Sequence, residues 1–329
     1  MRQLLRNTSF ATFLAALAPL ALGLGFTWPA QAETSDKSSA TQGGGDATRA
    51  RPRTRFPVIL PPQDTAQPVR TSHARGGECR QNAIEKLRAA PDGFSVYQRI
   101  PDKNFFLGWL MCDDEQLNLP TAVHESVHFI TADNDAYPLV NGGEIKRPHE
   151  VSQFFAPALI AGKFKPSDLV STYLRRGKAS SATDFLYLLD ELNAYTHDLN
   201  AAVDLSALHS AEQQTDNRDG LAGLMAFVAL YAQAAEESDP DTWSGLQKPQ
   251  VAKTVSELWS RAERVMASSC GLPNFGTDDK IYIRQFCQTK PQSSMQKILG
   301  RAPICPTECL KDRISRLGEL ETEHAPRTR

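Results

Sequence analysis

His124 and His128 stand four residues apart with Glu125 between them, in the run His124-Glu125-Ser126-Val127-His128. On a helix, residues four apart share one face, one turn above the other. Both imidazoles can therefore be offered to a single tetrahedral ion. Glu125, one position on, points to the side, where it can hold a water at the ion instead of ligating it. An ion held this way lowers the pKa of water toward ~7 and polarises a carbonyl. The carboxylate can take the proton and pass it to a leaving amine. The plainer reading is two surface histidines on an ordinary helix. Against it, Val123, Val127 and Ile130 make the opposite face apolar, and Asn118 followed by Pro120 reads as a helix start. The spacing predicts a helix over residues 119–131.

A catalytic zinc takes three protein ligands and keeps one position open. A metzincin continuation would put Gly and His at the third and sixth places after His128, but Thr131 and Asn134 stand there. The third ligand must come from a later element. Residues 182–208 read as a long amphipathic helix with Phe185, Leu188, Leu189, Leu192, Leu199 and Val203 as its buried stripe. Glu191 falls at about 110° from the centre of that stripe, on a flank shared with Tyr195 and Asp198. His197 falls on the opposite flank, so Glu191 and His197 cannot both reach one ion from a regular helix. Glu191 is the carboxylate candidate with the best setting; a solvated helix glutamate is the plainer reading of it. Tyr195, one turn beyond, could hydrogen-bond a developing oxyanion or the glutamate. His149 and His209 are rival ligands, whereas His73 and His324 lie in segments expected to be unstructured.

Together the two motifs resemble the gluzincin clan of metallopeptidases, in which the active-site helix is followed by a helix donating a glutamate. The resemblance covers roughly residues 124–198. It implies a zincin-like α+β domain, Zn2+ as cofactor and cleavage of peptide bonds, with His124, His128 and Glu191 as ligands and Glu125 as general base. The thermolysin-type Asn-Glu-x-x-x-Asp pattern is not matched: Asp190 precedes Glu191, and Tyr195 stands where an aspartate would brace a histidine ligand. The outer support of the site is thus unassigned. In zincins an edge strand just before the active-site helix commonly holds substrate in extended form, and residues 105–111 are placed to be that strand.

The elements that must position these groups are mostly helical. The sequence predicts a short helix at 79–89, strands at 94–100 and 105–111, and a loop or hairpin at 131–143 turning at Gly142-Gly143. Helices are predicted at 150–161, 165–175, 221–236 and 251–269, besides the two that carry the motifs. The expected fold class is α+β and helix-dominated: a zincin-like domain over 78–240, with its strand region ahead of the active-site helix, and a disulfide-stabilised helical part over 241–312. A charged tail would occupy 313–329.

Ahead of these lies a different kind of sequence. Residues 1–32 read as a secretory signal, with Arg2 and Arg6, an apolar run, and Ala30-Gln31-Ala32 as cleavage site. Residues 33–77 are rich in Ser, Thr, Gly, Pro and Arg, a composition that cannot bury enough apolar surface to order itself. Arg49, Arg51, Arg53 and Arg55 could give this leader a weak contact with an anionic cell envelope, although a solvated linker is the plainer reading. Six cysteines in an exported chain suggest disulfides, and chain proximity favours Cys79–Cys112, Cys270–Cys287 and Cys305–Cys309. A net charge of −2 gives no reason to expect nucleic acid as partner, and no stable membrane insertion is expected after signal removal. The expectation is an enzyme, a secreted or periplasmic zinc metallopeptidase acting on protein or peptide substrates. The alternatives are a cell-wall peptide amidase using the same site, and a non-catalytic binding or scaffold protein.

Overall fold

The computed structural model describes residues 72–110, 115–209 and 213–311. The expected signal at 1–32, the leader up to residue 71 with its arginine cluster, Cys112 with its expected bond to Cys79, and the tail at 313–329 lie outside the described residues. Four helices lead in: α1 (Ser72–Leu87), α2 (Pro91–Arg99), α3 (Lys103–Gly108) and α4 (Glu115–Asn134). A hairpin of β1 (Ala136–Pro138) and β2 (Glu144–Lys146) follows. After it come α5 (Asp168–Tyr173), α6 (Phe185–Asp204), α7 (Asn217–Ser238), α8 (Pro240–Leu246) and α9 (Pro249–Ser269). Then α10 (Asp279–Phe286), α11 (Thr289–Leu299) and the single turn α12 (Thr307–Leu310) close the described chain.

Helix dominates, but the strand region expected before the motif is itself helical. Pro91 opens α2, where a missing N–H costs nothing. Phe94 and Tyr97, three apart, share one helical face, and Lys103 Nζ donates to the terminal carbonyls of Tyr97, Gln98 and Ile100 at 2.5, 2.9 and 2.7 Å. Asp102 caps α3 by accepting from Asn104 N at 2.9 Å, and Phe106 packs edge-on against Tyr97 with centroids 5.0 Å apart. Aromatic residues that suggested alternation are in fact spaced for helix–helix packing. Residues 105–110, the described part of the second expected strand, therefore offer no strand edge to a substrate. Strand pairing among the described residues is confined to the hairpin after α4, where Ala136, Tyr137 and Pro138 face Lys146, Ile145 and Glu144 in antiparallel register. Gly142 and Gly143 make its turn with φ of 91° and 84°, a left-handed backbone open to glycine at little cost.

Other boundaries also moved. α1 starts at Ser72, inside the segment expected to be unstructured. α4 starts at Glu115, so Asn118 and Pro120 lie inside the helix and not at its start. Two 3-10 turns, His149–Gln153 and Pro157–Lys163, replace the single helix predicted over 150–161, interrupted at Pro157. A proline disfavours helical geometry in the residue before it.

Two apolar clusters hold the fold. One gathers α1 to α4 around Leu87, Val96, Phe106, Leu119, Val123 and Val127, with Ala194, Ala201 and Leu205 of α6 reaching into it. The other surrounds α7, which is buried on nearly all sides and thus runs through the centre. This second core is continuous from Tyr137 to Cys309 and crosses position 240 without a break. α6 belongs to both clusters and is their common wall.

The C-terminal part is fastened by polar groups as well as sulfur. Glu263, buried on α9, accepts from Trp259 Nε1 (2.7 Å), Arg301 Nη2 (2.5 Å) and Ile304 N (2.7 Å). Disulfides join Cys270 to Cys309 and Cys287 to Cys305. This corrects the pairing by proximity. α10 and α11 carry the chain out and back, so Cys309 returns to the end of α9 across 39 residues. The entropic cost of closing a loop grows only with the logarithm of its length, so packing overrides the advantage of a short one.

A buried polar link joins α2, α6 and the hairpin. Asp92 accepts from His197 Nδ1 at 2.7 Å and from Asn141 N at 3.0 Å. Pro138 O accepts from His197 Nε2 at 3.0 Å and Asn193 Nδ2 at 2.8 Å. Burial pushes the Asp92 carboxyl up, but the bond and charge of His197 outweigh it and hold it below the usual carboxylate value. A depressed folded-state pKa stabilises the fold above the ordinary carboxylate range, and that stability is lost as pH falls through the lowered value. His197→Ala should therefore cost about 3 kcal/mol at neutral pH, read by guanidinium unfolding. The deficit should shrink below about pH 4, where Asp92 protonates in the unfolded chain. A deficit that is negligible or independent of pH would show that the pair carries no net stability.

Candidate metal centre

α6 begins at Asp184, whose side chain accepts from Leu186 N at 2.8 Å. Its stripe of Leu188, Leu189, Leu192 and Leu199 is fully buried, and this burial fixes the rotation of the helix. The flank bearing Glu191, Tyr195 and Asp198, and the face opposite the stripe with Asp190, are turned toward α4, which lies alongside. α4 presents His124 and His128 in return, with ring centroids 4.8 Å apart.

His124, His128 and Glu191 meet there. His124 Nε2 and His128 Nε2 are 3.1 Å apart, and Glu191 Oε2 lies 3.6 Å from the first and 3.4 Å from the second. Oε2 is buried and has no hydrogen-bond partner, which costs roughly 1–3 kcal/mol, more when charged. A cation relieves that cost. Ligands at about 2.0–2.2 Å from a tetrahedral ion are separated by roughly 3.4 Å, and the three observed separations bracket that value. The residues fit a metal ion, and the donor set of two imidazoles and a carboxylate leaves one position of a tetrahedron open.

Asp190 supplies the outer support that the sequence left unassigned. Its Oδ2 accepts from His128 Nδ1–H at 2.9 Å, which turns Nε2 toward Glu191 and His124, where it would offer its lone pair to a bound metal. This is the usual arrangement for an imidazole that binds a metal. Adjacent helical residues are 100° apart, so Asp190 reaches one side of the His128 ring while Glu191 reaches the other. Behind them Arg147 is buried with its guanidinium 5.3 Å from the Tyr187 ring, and its charge acts on Asp190.

The electrostatics follow from burial opposed by pairing. Burial pushes Glu191 up, but the charge of His128 and the closeness of both imidazoles carry it down to about 2. Burial pushes His128 down, yet the carboxylates of Asp190 and Glu191 lift it well above an ordinary histidine. Asp198, on the same flank, is raised to about 6 by burial, with Asp216 and Glu125 adding to the rise; the nearby His124 charge and a 2.8 Å bond from Asn217 Nδ2 pull the other way. Glu125 is half-buried on α4, and its charge reaches both Asp198 and Tyr173.

Tyr195 packs edge-on against the His124 ring at 4.5 Å, and its hydroxyl lies 2.8 Å from that of Tyr173 at the end of α5. Two hydroxyls sharing one hydrogen bond keep one O–H free to donate. Burial raises both phenols above the ordinary tyrosine range, so both stay protonated at neutral pH. Gly220 of α7 lies directly behind Tyr195: a Cβ there would stand 2.1 Å from Tyr195 Cε1.

The rival residues are elsewhere. His149 is exposed and bonded to Asp135 at 2.7 Å, His197 belongs to the Asp92 link, and His209 packs against Phe275 with centroids 5.1 Å apart. Sequence reasoning left Asp190 and Tyr173 without roles. The signal for Asp190 is its place next to Glu191 in the chain, opposite the leucine stripe, where a turn of 100° lets it reach the other side of the same histidine. Nothing in the spacing marks Tyr173, because its contact with Tyr195 is made by tertiary packing. Comparison with protein-family models, curated proteins and solved structures finds no match for this chain.

The close approach of Gly220 generates a test. Gly220→Ala should destabilise the protein by about 1–3 kcal/mol through overpacking and displace Tyr195 from His124, visible as a change in near-UV circular dichroism. Unchanged stability with an unchanged spectrum would mean that the ring is not held by this contact.

Proposed function

We propose that this chain is an exported zinc-dependent hydrolase that cleaves peptide bonds. The observation that carries the reading is the convergence of His124, His128 and Glu191, with Asp190 orienting His128 from behind. Two imidazoles and one carboxylate with an open fourth position are the ligand set of catalytic zinc in peptidases. Zinc bound there supplies Lewis acidity, acidifying water and polarising a carbonyl.

The remaining work falls to the chain's own side chains. Glu125 accepts the proton of the attacking water at its carboxylate and returns it to the leaving amine. The free O–H of the Tyr173–Tyr195 pair donates to the carbonyl oxygen as negative charge grows on it. The carbonyl carbon gains the water oxygen, the C–N bond breaks, and the amine leaves with the proton from Glu125. Asp190 fixes the tautomer of His128, so that the nitrogen facing Glu191 bears a lone pair.

Export agrees with the Cys270–Cys309 and Cys287–Cys305 bonds, which persist in oxidising compartments. No helix among the described residues is long and apolar enough to cross a membrane.

Elemental analysis of the purified protein should find about one zinc per chain, and Glu191→Ala should lower zinc affinity far more than His149→Ala. Native protein without metal, or the reverse order of the two variants, would sink the assignment. Asp190→Asn should weaken zinc about 10- to 100-fold while keeping all three ligands. Glu125→Gln should retain zinc yet lose roughly 10²- to 10⁴-fold in hydrolysis of a denatured protein substrate; full activity in that variant would remove Glu125 from the chemistry.

A further inference from the structure

A second polar site lies on the far side of α6. Asn200 is nine residues beyond Glu191, which at about 100° per residue places it on the opposite flank. There a cavity of about 200 Å³ opens between α6, α9 and the hairpin turn, lined by Val140, Asn141, Asn200, Arg261, Arg264, Val265 and Ser268. At about 30 Å³ per water it holds several water volumes. Arg261, Arg264, Val265 and Ser268 follow the i, i+3, i+4, i+7 rhythm, so one face of α9 is turned into it.

Its charge is one-sided. No carboxylate lines the cavity. Arg261 has Glu257 as its ion-pair partner at 3.6 Å, one turn back on α9, and its Nε–H is buried without an acceptor. Arg264 is exposed at the rim. Asn200 Nδ2 makes only a long bond, 3.4 Å, to Asp204, and Asn141 is exposed at the cavity with its backbone N–H bonded to Asp92. Two guanidiniums thus face neutral amides across a small pocket, and one of them carries an unmet donor in the protein interior. A buried N–H left without an acceptor is costly, and an anion entering the cavity would supply one.

We propose that this cavity binds a tetrahedral oxyanion, a phosphate group either free or at the end of a larger molecule. Guanidinium forks match phosphate oxygens two at a time. The donors come from three elements, α9, α6 and the hairpin turn, and so approach from directions that a planar carboxylate with two oxygens cannot satisfy together. The site shares no residue with the His124–His128–Glu191 centre and does not depend on the reading of that centre.

The test is calorimetric titration of the full exported chain at constant ionic strength with inorganic phosphate, phosphoethanolamine and acetate. Saturable binding of one or both phosphates, with acetate at least about tenfold weaker, supports the proposal, and the tighter of the two phosphates tells whether the free ion or a terminal ester is the natural form. Arg264→Gln, at an exposed rim position, should weaken phosphate by about tenfold without altering thermal stability, and Arg261→Gln should do so more strongly. Glu191→Ala should bind phosphate as the unmodified protein does. Absence of saturable binding, equal affinity for acetate, unchanged affinity in Arg264→Gln, or loss of binding in Glu191→Ala would each overturn it.

Discussion

Glu191 presents a buried carboxylate oxygen to two imidazoles, and a charge taken out of water there costs several kcal/mol unless other charges meet it. That constraint orders the groove between α4 and α6. The two histidines lie within 3.6 Å of Glu191 Oε2, and Asp190 closes the back of the His128 ring. Glu191 and His128 are held away from their ordinary protonation behaviour by their neighbours, and the set is more costly than an apolar groove of the same shape would be. A fold keeps such a cluster where it is used, because perturbed titratable groups gathered in one place are what metal binding and acid–base work require.

Keeping the cluster in register falls to α6. Its leucine stripe fixes the rotation of the helix, and rotation decides what each flank meets. One flank carries Glu191, Tyr195 and Asp198, and the face opposite the stripe carries Asp190, toward α4. The other carries Asn193, His197 and Asn200 toward the hairpin, where Pro138 O and Asp92 hold it by hydrogen bonds. A helix pinned on its far side by directional bonds is poorly free to roll, so the Asp92–His197 link positions the candidate metal ligands from about one helix diameter away. α7 completes the frame behind Tyr195. There Gly220 allows a ring to lie against the helix backbone where any side chain would push it off.

Much of the centre was legible because helices have a fixed period. Four-residue spacing put His124 and His128 on one face, and the position of Glu191 relative to the leucine stripe chose its flank over that of His197. The hairpin turn was marked by two consecutive glycines. What failed was of another kind. The aromatics of 94–100 and 105–111 suit strand or helix alike, and the decision lay in Pro91, Asp102 and Lys103, whose capping contacts are made only once the chain has turned. The pairing expected for the last four cysteines failed because α10 and α11 carry the chain out and back, so that Cys305 and Cys309 return to Cys287 and Cys270. Tyr173 carries no pattern at all, since its partner is 22 residues away.

The loss of the expected strand bears on how a peptide would be held. Residues 105–110 form α3 and its end, with Phe106 buried against Tyr97 and the N–H groups of Phe105, Trp109 and Leu110 bonded to the carbonyls of Asp102, Phe106 and Leu107. An extended substrate gains affinity from a sheet edge through unpaired N–H and C=O groups, and that source is absent on this side of α4. Binding must then rest more on side chains. Near the centre these are the Tyr173–Tyr195 pair and the carboxyl groups of Glu125 and Asp198. Hydroxyl and carboxyl groups of this kind recognise a particular arrangement of donors and acceptors, not a length of extended chain. On the proposed function, a site built this way would select its substrate at the residues flanking the scissile bond and gain less from the length of the peptide beyond them.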